Sequence, residues 1–147
     1  MRYKVFGKTG EKLSVLCLGT WALGGKNFGA VPESEAIAGV HAMIDNGVNL
    51  IDTAPIYAAG GSEEVLGKAL KGGYRQKVFL VSKFGSEFID PNDTSKGTIK
   101  NSSRANMMKF IDDTLARLQT DYLDGYLMHW PDGIGTPLED RRLYERT

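Results

Sequence analysis

The chain has 147 residues, 41% of them hydrophobic and 24% charged, with 18 basic side chains balancing 18 acidic ones. That length and mix predict one globular domain with a buried core, and zero net charge argues against a nucleic-acid or anionic-membrane partner, since both favour a basic excess. The one cysteine, Cys17 in the apolar run Val15-Leu16-Cys17-Leu18, reads as core packing in a reducing compartment. There is no signal-peptide core at the N-terminus and no run approaching the ~20 apolar residues of a membrane span, so a cytoplasmic location is expected.

In chain order, Tyr3–Phe6 and Lys12–Val15 are strand-like runs separated by Gly7-Lys8-Thr9-Gly10-Glu11, which reads as hairpin punctuation. A further strand through Leu16-Cys17-Leu18 ends at Gly19-Thr20-Trp21. The glycine-rich loop from Gly24 to Gly29 is too irregular, and too far from a helix, to cradle a phosphate. From Glu33 the pattern turns helical, with Ile37, Val40, Met43 and Ile44 on one stripe and Asn46-Gly47 as a stop. His41 falls off that stripe and reads as an exposed helix residue rather than a ligand.

The stretch Asn49–Gly67 organises the rest. A short apolar strand delivers Asp52, a tight loop carries Tyr57, and a helix follows with Ser62 as N-cap and Glu63 and Glu64 in its positive first turn. That helix buries Val65, Leu66, Ala69 and Leu70 and stops at Gly72-Gly73. Lys77–Ser82 is a near-continuous apolar run, as a strand covered on both faces should be, and it ends in Lys83. A long polar loop is expected from Phe84 to Asn101. A third helix follows, with Met108, Ile111, Leu115 and Leu118 as its apolar stripe and Ser102 or Ser103 as its cap. The last strand, Tyr122–Met128, terminates in His129-Trp130-Pro131-Asp132.

Strands alternating with helices predict an α/β fold with parallel pairing. An open doubly wound sheet would announce a glycine-rich phosphate turn after its first strand, and none is present. A closed β/α barrel places its chemistry at the C-terminal ends of successive strands, where Asp52 with Tyr57, Lys83 and His129 fall. The four make a coherent site. A phenol ionises near ~10 when unperturbed, and a neighbouring Lys83 cation favours the phenolate. Asp52 can orient Lys83, and His129 can donate to a carbonyl oxygen as negative charge develops on it. Trp21 and Trp130 would wall the pocket. Such a site suits proton delivery to a carbonyl that receives a hydride from a cofactor. No metal is called for.

These motifs resemble the N-terminal half of an aldo-keto reductase. The resemblance rests on the opening hairpin, Gly19-Thr20-Trp21, Asp52-Thr53-Ala54-Pro55-Ile56-Tyr57, Gly60-Gly61-Ser62-Glu63, Leu66-Gly67, Val81-Ser82-Lys83 and Asp121-Tyr122-Leu123-Asp124 running to His129-Trp130-Pro131. It implies a (β/α)8 barrel of the TIM type that uses NADPH to reduce a small aldehyde or ketone. Tyr57 would be the proton donor, Lys83 and Asp52 would tune it, and His129 would orient the carbonyl. Gly19, Thr20, Trp21 and Asp52 would lie near the nicotinamide.

A whole barrel of this type typically needs roughly 250 residues. The 147 residues therefore read as a single incomplete domain: a hairpin over 1–15, about four βα units over 16–138, and a shortened fourth helix over 139–147. The expectation is a half-barrel that is active once a second copy or a complementing chain closes it. The alternative is a catalytically inactive truncated half-barrel serving as an interaction module or a gene relic.

Overall fold

The apolar run before Lys83 becomes a central strand, and the neighbouring elements are arranged around it. The computed structural model describes residues 1–25, 29, 31–90 and 92–130. It opens with an antiparallel hairpin of β1 (Tyr3–Val5) and β2 (Lys12–Ser14), with Tyr3 opposite Ser14. The chain continues through β3 (Leu18–Gly19), α1 (Glu33–Asp45), β4 (Leu50–Asp52), α2 (Gly61–Ala69) and β5 (Phe79–Phe84). Then come β6 (Ser86–Phe88), β7 (Thr98–Lys100), α3 (Arg104–Leu118) and β8 (Gly125–Met128). Strands β3, β4, β5 and β8 lie side by side in that order, each parallel to its neighbour. Spatial order that follows chain order, with a helix in every crossover, is barrel topology; a doubly wound sheet would reverse direction.

The pleat sorts each strand's residues onto two faces. Ile51 and Leu80 are fully buried and join Val40, Ile44, Leu66, Ala69, Leu70, Val78 and Leu118 beneath the helices, with Leu18 packed at the margin. The alternate residues Leu50, Asp52, Phe79, Val81, Lys83 and Leu127 face the other way. Phe6 of the hairpin turn covers one end of that inner face, its ring edge-on to Phe79 at 5.7 Å, while Leu127 is 52% exposed. Cys17, expected in the core, is exposed. Because Leu18 takes the helix-facing position, the pleat turns the preceding residue to the inner face.

Four other expectations change. Gly60, in the left-handed conformation with φ 95°, occupies the position before α2 that Ser62 was expected to fill as cap. Ser62 is instead fully buried and accepts a hydrogen bond from the Gly24 amide at 3.2 Å. Glu63 does sit in the first turn, but wholly buried, accepting from Ser82 Oγ (2.7 Å), Thr114 Oγ1 (3.2 Å) and Arg117 Nε (2.7 Å). His41 is half-buried, with Nε2 2.7 Å from the Ala69 carbonyl and its ring stacked 4.0 Å from Tyr74.

On α3, capped by the Ser103 hydroxyl, the buried face is Asn106, Phe110, Thr114 and Leu118, and Met108 is 48% exposed. Two polar residues replace the expected apolar ones because each finds partners: Asn106 donates to the Asn101 carbonyl at 2.7 Å, and Thr114 meets Glu63. The expected loop over 84–101 is largely a second hairpin, β6 with β7, pairing Ser86 to Lys100 and Phe88 to Thr98. Its connection contains a 3-10 turn, Thr94–Lys96, capped by the Asp93 carboxylate. The Lys26–Phe28 part of the glycine-rich loop, Pro131-Asp132 and the expected fourth helix at 139–147 lie outside the described residues. No helix among the described residues is long and apolar enough to cross a membrane.

Helices α2 and α3 meet at Gly67, where an added Cβ would come 2.6 Å from the Arg117 carbonyl oxygen and 2.8 Å from the Leu118 carbonyl carbon. Both obstacles are backbone and cannot rotate away. Gly67→Ala should therefore destabilise the protein by about 2 kcal/mol, read as a lower urea midpoint. An unchanged midpoint would show that the helices separate freely.

Candidate active site

Strand β4 ends at Asp52, whose backbone pairs with Gly19 on one side and Val81 on the other. Two residues past Val81, on the same face, stands Lys83, with 9% of its surface exposed. Its ammonium donates to Asp52 Oδ2 at 2.8 Å, to the Thr53 carbonyl at 2.9 Å and to the Tyr57 hydroxyl at 3.2 Å. An ammonium has three N–H bonds, and each has an acceptor here, so its direction is determined. Lys83 was expected as the last strand residue and lies one before the end, since β5 continues to Phe84.

Tyr57 begins a 3-10 turn, Tyr57–Gly60, in which Ala58 (φ 52°), Ala59 (φ 54°) and Gly60 (φ 95°) are all left-handed. For L-alanine that conformation costs about 1–2 kcal/mol per residue, and it persists only where the surroundings over-determine it. His129 follows β8, anchored by its backbone N–H donating to the Phe84 carbonyl at 2.9 Å. Its ring stands edge-on to Tyr57, centroids 5.7 Å apart at 82°, and stacks on Trp130 at 6.0 Å. Burial first, and the Lys83 charge second, hold the His129 pKa below its ordinary value, with Asp52 opposing both. At neutral pH the imidazole is therefore uncharged, with one N–H to donate.

The mouth opens into a cleft of about 420 Å³ lined by Trp21, Ile56, Tyr57, Phe88, His129 and Trp130. Trp21 and Trp130 are 56% and 53% exposed, and the Lys100 ammonium sits 5.1 Å over the Trp130 ring. Gly19 presents no side chain here, and the space a Cβ would fill is open. Thr20 is fully buried, its amide and hydroxyl both donating to the Asp52 carbonyl at 3.0 Å, so it ties β3 to β4. The structure thus brings Asp52, Tyr57 and Lys83 into direct hydrogen bonding and sets His129 against the phenol. Sequence reasoning missed the Thr53 carbonyl, Ile56, Phe88 and Lys100. Main-chain acceptors leave no residue signature, and Phe88 and Lys100 reach the mouth through a hairpin that had read as loop.

The Aldo/keto reductase family model matches residues 15–142. The chain belongs to the aldo/keto reductase family. It is 39% identical over 141 residues to aldo-keto reductase YhdN of Bacillus subtilis (strain 168), covering 95% of this chain and 41% of that protein. It is also 39% identical over 131 residues to methylglyoxal reductase YeaE of Escherichia coli (strain K12), covering 88% and 40%. Among solved structures it superposes on the holo form of aldo-keto reductase AKR11C1 from Bacillus halodurans with a TM-score of 0.81 at 31% identity, over 95% of this chain and 43% of that one. An aldo-keto reductase from Klebsiella pneumoniae in complex with NADPH gives a TM-score of 0.67 at 36% identity, over 92% and 43%. The chain therefore spans about two fifths of the length of the relatives it matches, and its four parallel strands are part of the (β/α) barrel of this family.

The low His129 pKa has a sign that can be checked. An unfolded chain, with its histidine near 6.5, takes up this proton before the folded one does as pH falls. The associated stability is fully present above 6.5 and is lost as pH falls through the lowered folded value. An NMR titration of the His129 ring protons should give a midpoint below 6.5, lower still in Asp52→Asn and higher in Lys83→Met. A midpoint at or above the ordinary value would overturn the account.

Proposed function

We propose that this aldo/keto reductase chain carries the proton-delivery and carbonyl-orienting part of an NADPH-dependent reductase of small aldehydes or ketones. The observation that carries the reading is the Lys83 ammonium bonded at once to Asp52 and to the Tyr57 hydroxyl, at a mouth where three adjacent strands end. In this reading Tyr57 gives its proton to the substrate oxygen, and Lys83, 3.2 Å away, stabilises the phenolate left behind. Asp52 keeps Lys83 aimed. The neutral His129 donates its N–H to the same substrate oxygen and excludes an alternative pose. Trp21, Phe88 and Trp130 supply apolar walls to the cleft, and closure of the barrel would keep water from the reacting carbonyl.

The residues present fit the nicotinamide end of a dinucleotide. Gly19 leaves open space beside Asp52 on the inner face, Trp21 stands exposed at its rim, and Thr20 fixes the Asp52 backbone beneath. When bound, such a cofactor supplies the hydride that complements the Tyr57 proton. The choice of NADPH is supported by the Klebsiella pneumoniae relative solved with it. The proposal includes a reducing, cytoplasmic setting, in keeping with a sequence whose one cysteine excludes an intrachain disulfide.

Activity also needs cover for the exposed Leu127 of the inner face and for the outer edges of β3 and β8, which have no strand neighbour among the described residues. The remaining barrel strands would supply it, whether from the same polypeptide, a second copy or a complementing chain. The uncovered face also favours one second reading, a non-catalytic interaction module. A relative at 34% identity over 142 residues is described as a probable voltage-gated potassium channel subunit beta of Arabidopsis thaliana.

Both tryptophans line the cleft, so their fluorescence should report saturable NADPH binding in the micromolar range. Tyr57→Phe should lower carbonyl reduction by about 1000-fold while leaving the circular dichroism spectrum unchanged. Retained turnover in that variant would remove Tyr57 from the mechanism, and a closed barrel that stays blind to NADPH would favour the interaction module.

A further inference from the structure

Ser82 and Lys83 are adjacent on β5 and face opposite sides of the sheet. Lys83 points to the mouth, and Ser82, fully buried, donates to Glu63 Oε1 at 2.7 Å. Glu63 stands three residues after Gly60, where the Tyr57 turn ends. Its carboxylate therefore ties the helix that continues the turn to the strand that carries Lys83. Arg117 of α3 donates from Nε to the other carboxylate oxygen at 2.7 Å. The same side chain lies against Gly60, where an added Cβ would come 2.8 Å from Arg117 Cδ. Gly24 presses against Ala58 of the same turn, leaving no room for a Cβ on Gly24 beside that of Ala58.

We propose that Glu63, Ser82 and Arg117 are positioning residues that set the distance between Tyr57 and Lys83 from behind the sheet. Three successive left-handed residues do not hold themselves in place. Gly24 packs on the turn at Ala58 and Arg117 packs on it at Gly60, and Glu63 refers it to β5. An apolar trio would join α2 to α3 at least as firmly, since burying an ion pair is rarely the most stabilising choice. What the charged trio adds is direction, through oxygens held at hydrogen-bond distance from two different elements. The catalytic meaning rests on Tyr57 as the proton donor proposed above, and the geometry does not. A displacement of about 1 Å at the reacting groups can cost about 100-fold in rate.

The test uses the whole 147-residue chain and compares Ser82→Ala and Arg117→Met with Val40→Ala, a core variant at 1% exposure chosen to lose stability without touching the turn. The primary readout is the nuclear Overhauser contact between the Tyr57 and His129 rings, measured at low temperature where each variant is folded. We expect both network variants to lose most of that contact and to move the His129 ring signals. Val40→Ala should keep both, and Arg117→Lys, which restores a cation to Glu63, should recover part of the loss. Where turnover is measurable, kcat should fall by about 100-fold in Arg117→Met with KM little changed. Folded network variants with wild-type ring contacts would overturn the proposal. If Arg117→Met does not fold, Ser82→Ala decides alone. A wild-type chain without turnover even when its barrel is closed would instead count against the carbonyl-reduction reading and leave the ring contacts to judge this one.

Discussion

The three bonds of the Lys83 ammonium are the constraint on which the site depends. A cation with 9% of its surface exposed is costly unless its donors are met, and here they are met by Asp52, the Thr53 carbonyl and Tyr57, all from one stretch that starts at the end of β4 and runs toward α2. The parallel pairing of β4 with β5 sets Asp52 beside Val81, two residues short of Lys83. The tyrosine turn must then fold back far enough to bring a phenol to the remaining donor. That requirement accounts for the left-handed alanines, which no local preference of the chain would choose.

The sheet separates two kinds of work. Its helix-facing side carries the apolar core and one buried polar cluster, and the cluster joins β5, α2 and α3 through Glu63. Its inner side carries the ionisable residues at one end and apolar side chains toward the hairpin. Arg75 makes a comparable tie at the opposite end of the strands, bonding to the Val78 and Tyr122 carbonyls and to Asp124, whose carboxylate also accepts from the Leu80 amide. Each end of β5 is thus pinned to neighbouring elements by ion pairs, Arg75 with Asp124 at one end and Glu63 with Arg117 and Lys83 with Asp52 at the other, which limits how far the strand can slide and so keeps Lys83 in register.

Membership of the aldo/keto reductase family follows from similarity along nearly the whole chain, and the portion of the barrel it spans has a physical coherence of its own. The first four parallel strands bring together the Asp52, Tyr57, Lys83 and His129 cluster and the open space at Gly19. They leave apolar inner-face residues such as Leu127 exposed. The hydrogen-bonded cluster is thus local to this portion, while the dry interior that would surround it is a property of a closed barrel.

The amino-acid sequence by itself determined the opening hairpin, the alternation of the four parallel strands with three helices, and the four residues at the mouth. Those depend on hydrophobic periodicity, on turn residues such as Asn46-Gly47 and on which residue ends each apolar run, all of which are local. Tertiary structure alone decided the rest. A hydrophobic pattern cannot foresee that Glu63, Asn106 and Thr114 would be buried, because their burial depends on partners 51 residues away for Thr114 with Glu63 and five for Asn106 with Asn101. It cannot tell which face of the pleat Cys17 takes in a strand as short as β3, nor see that residues 86–100 pair as a hairpin and bring Phe88 to the cleft. Gly60 rather than Ser62 precedes α2 for the same reason: the backbone there is dictated by where Tyr57 must go, and that destination exists only once β4 and β5 have paired.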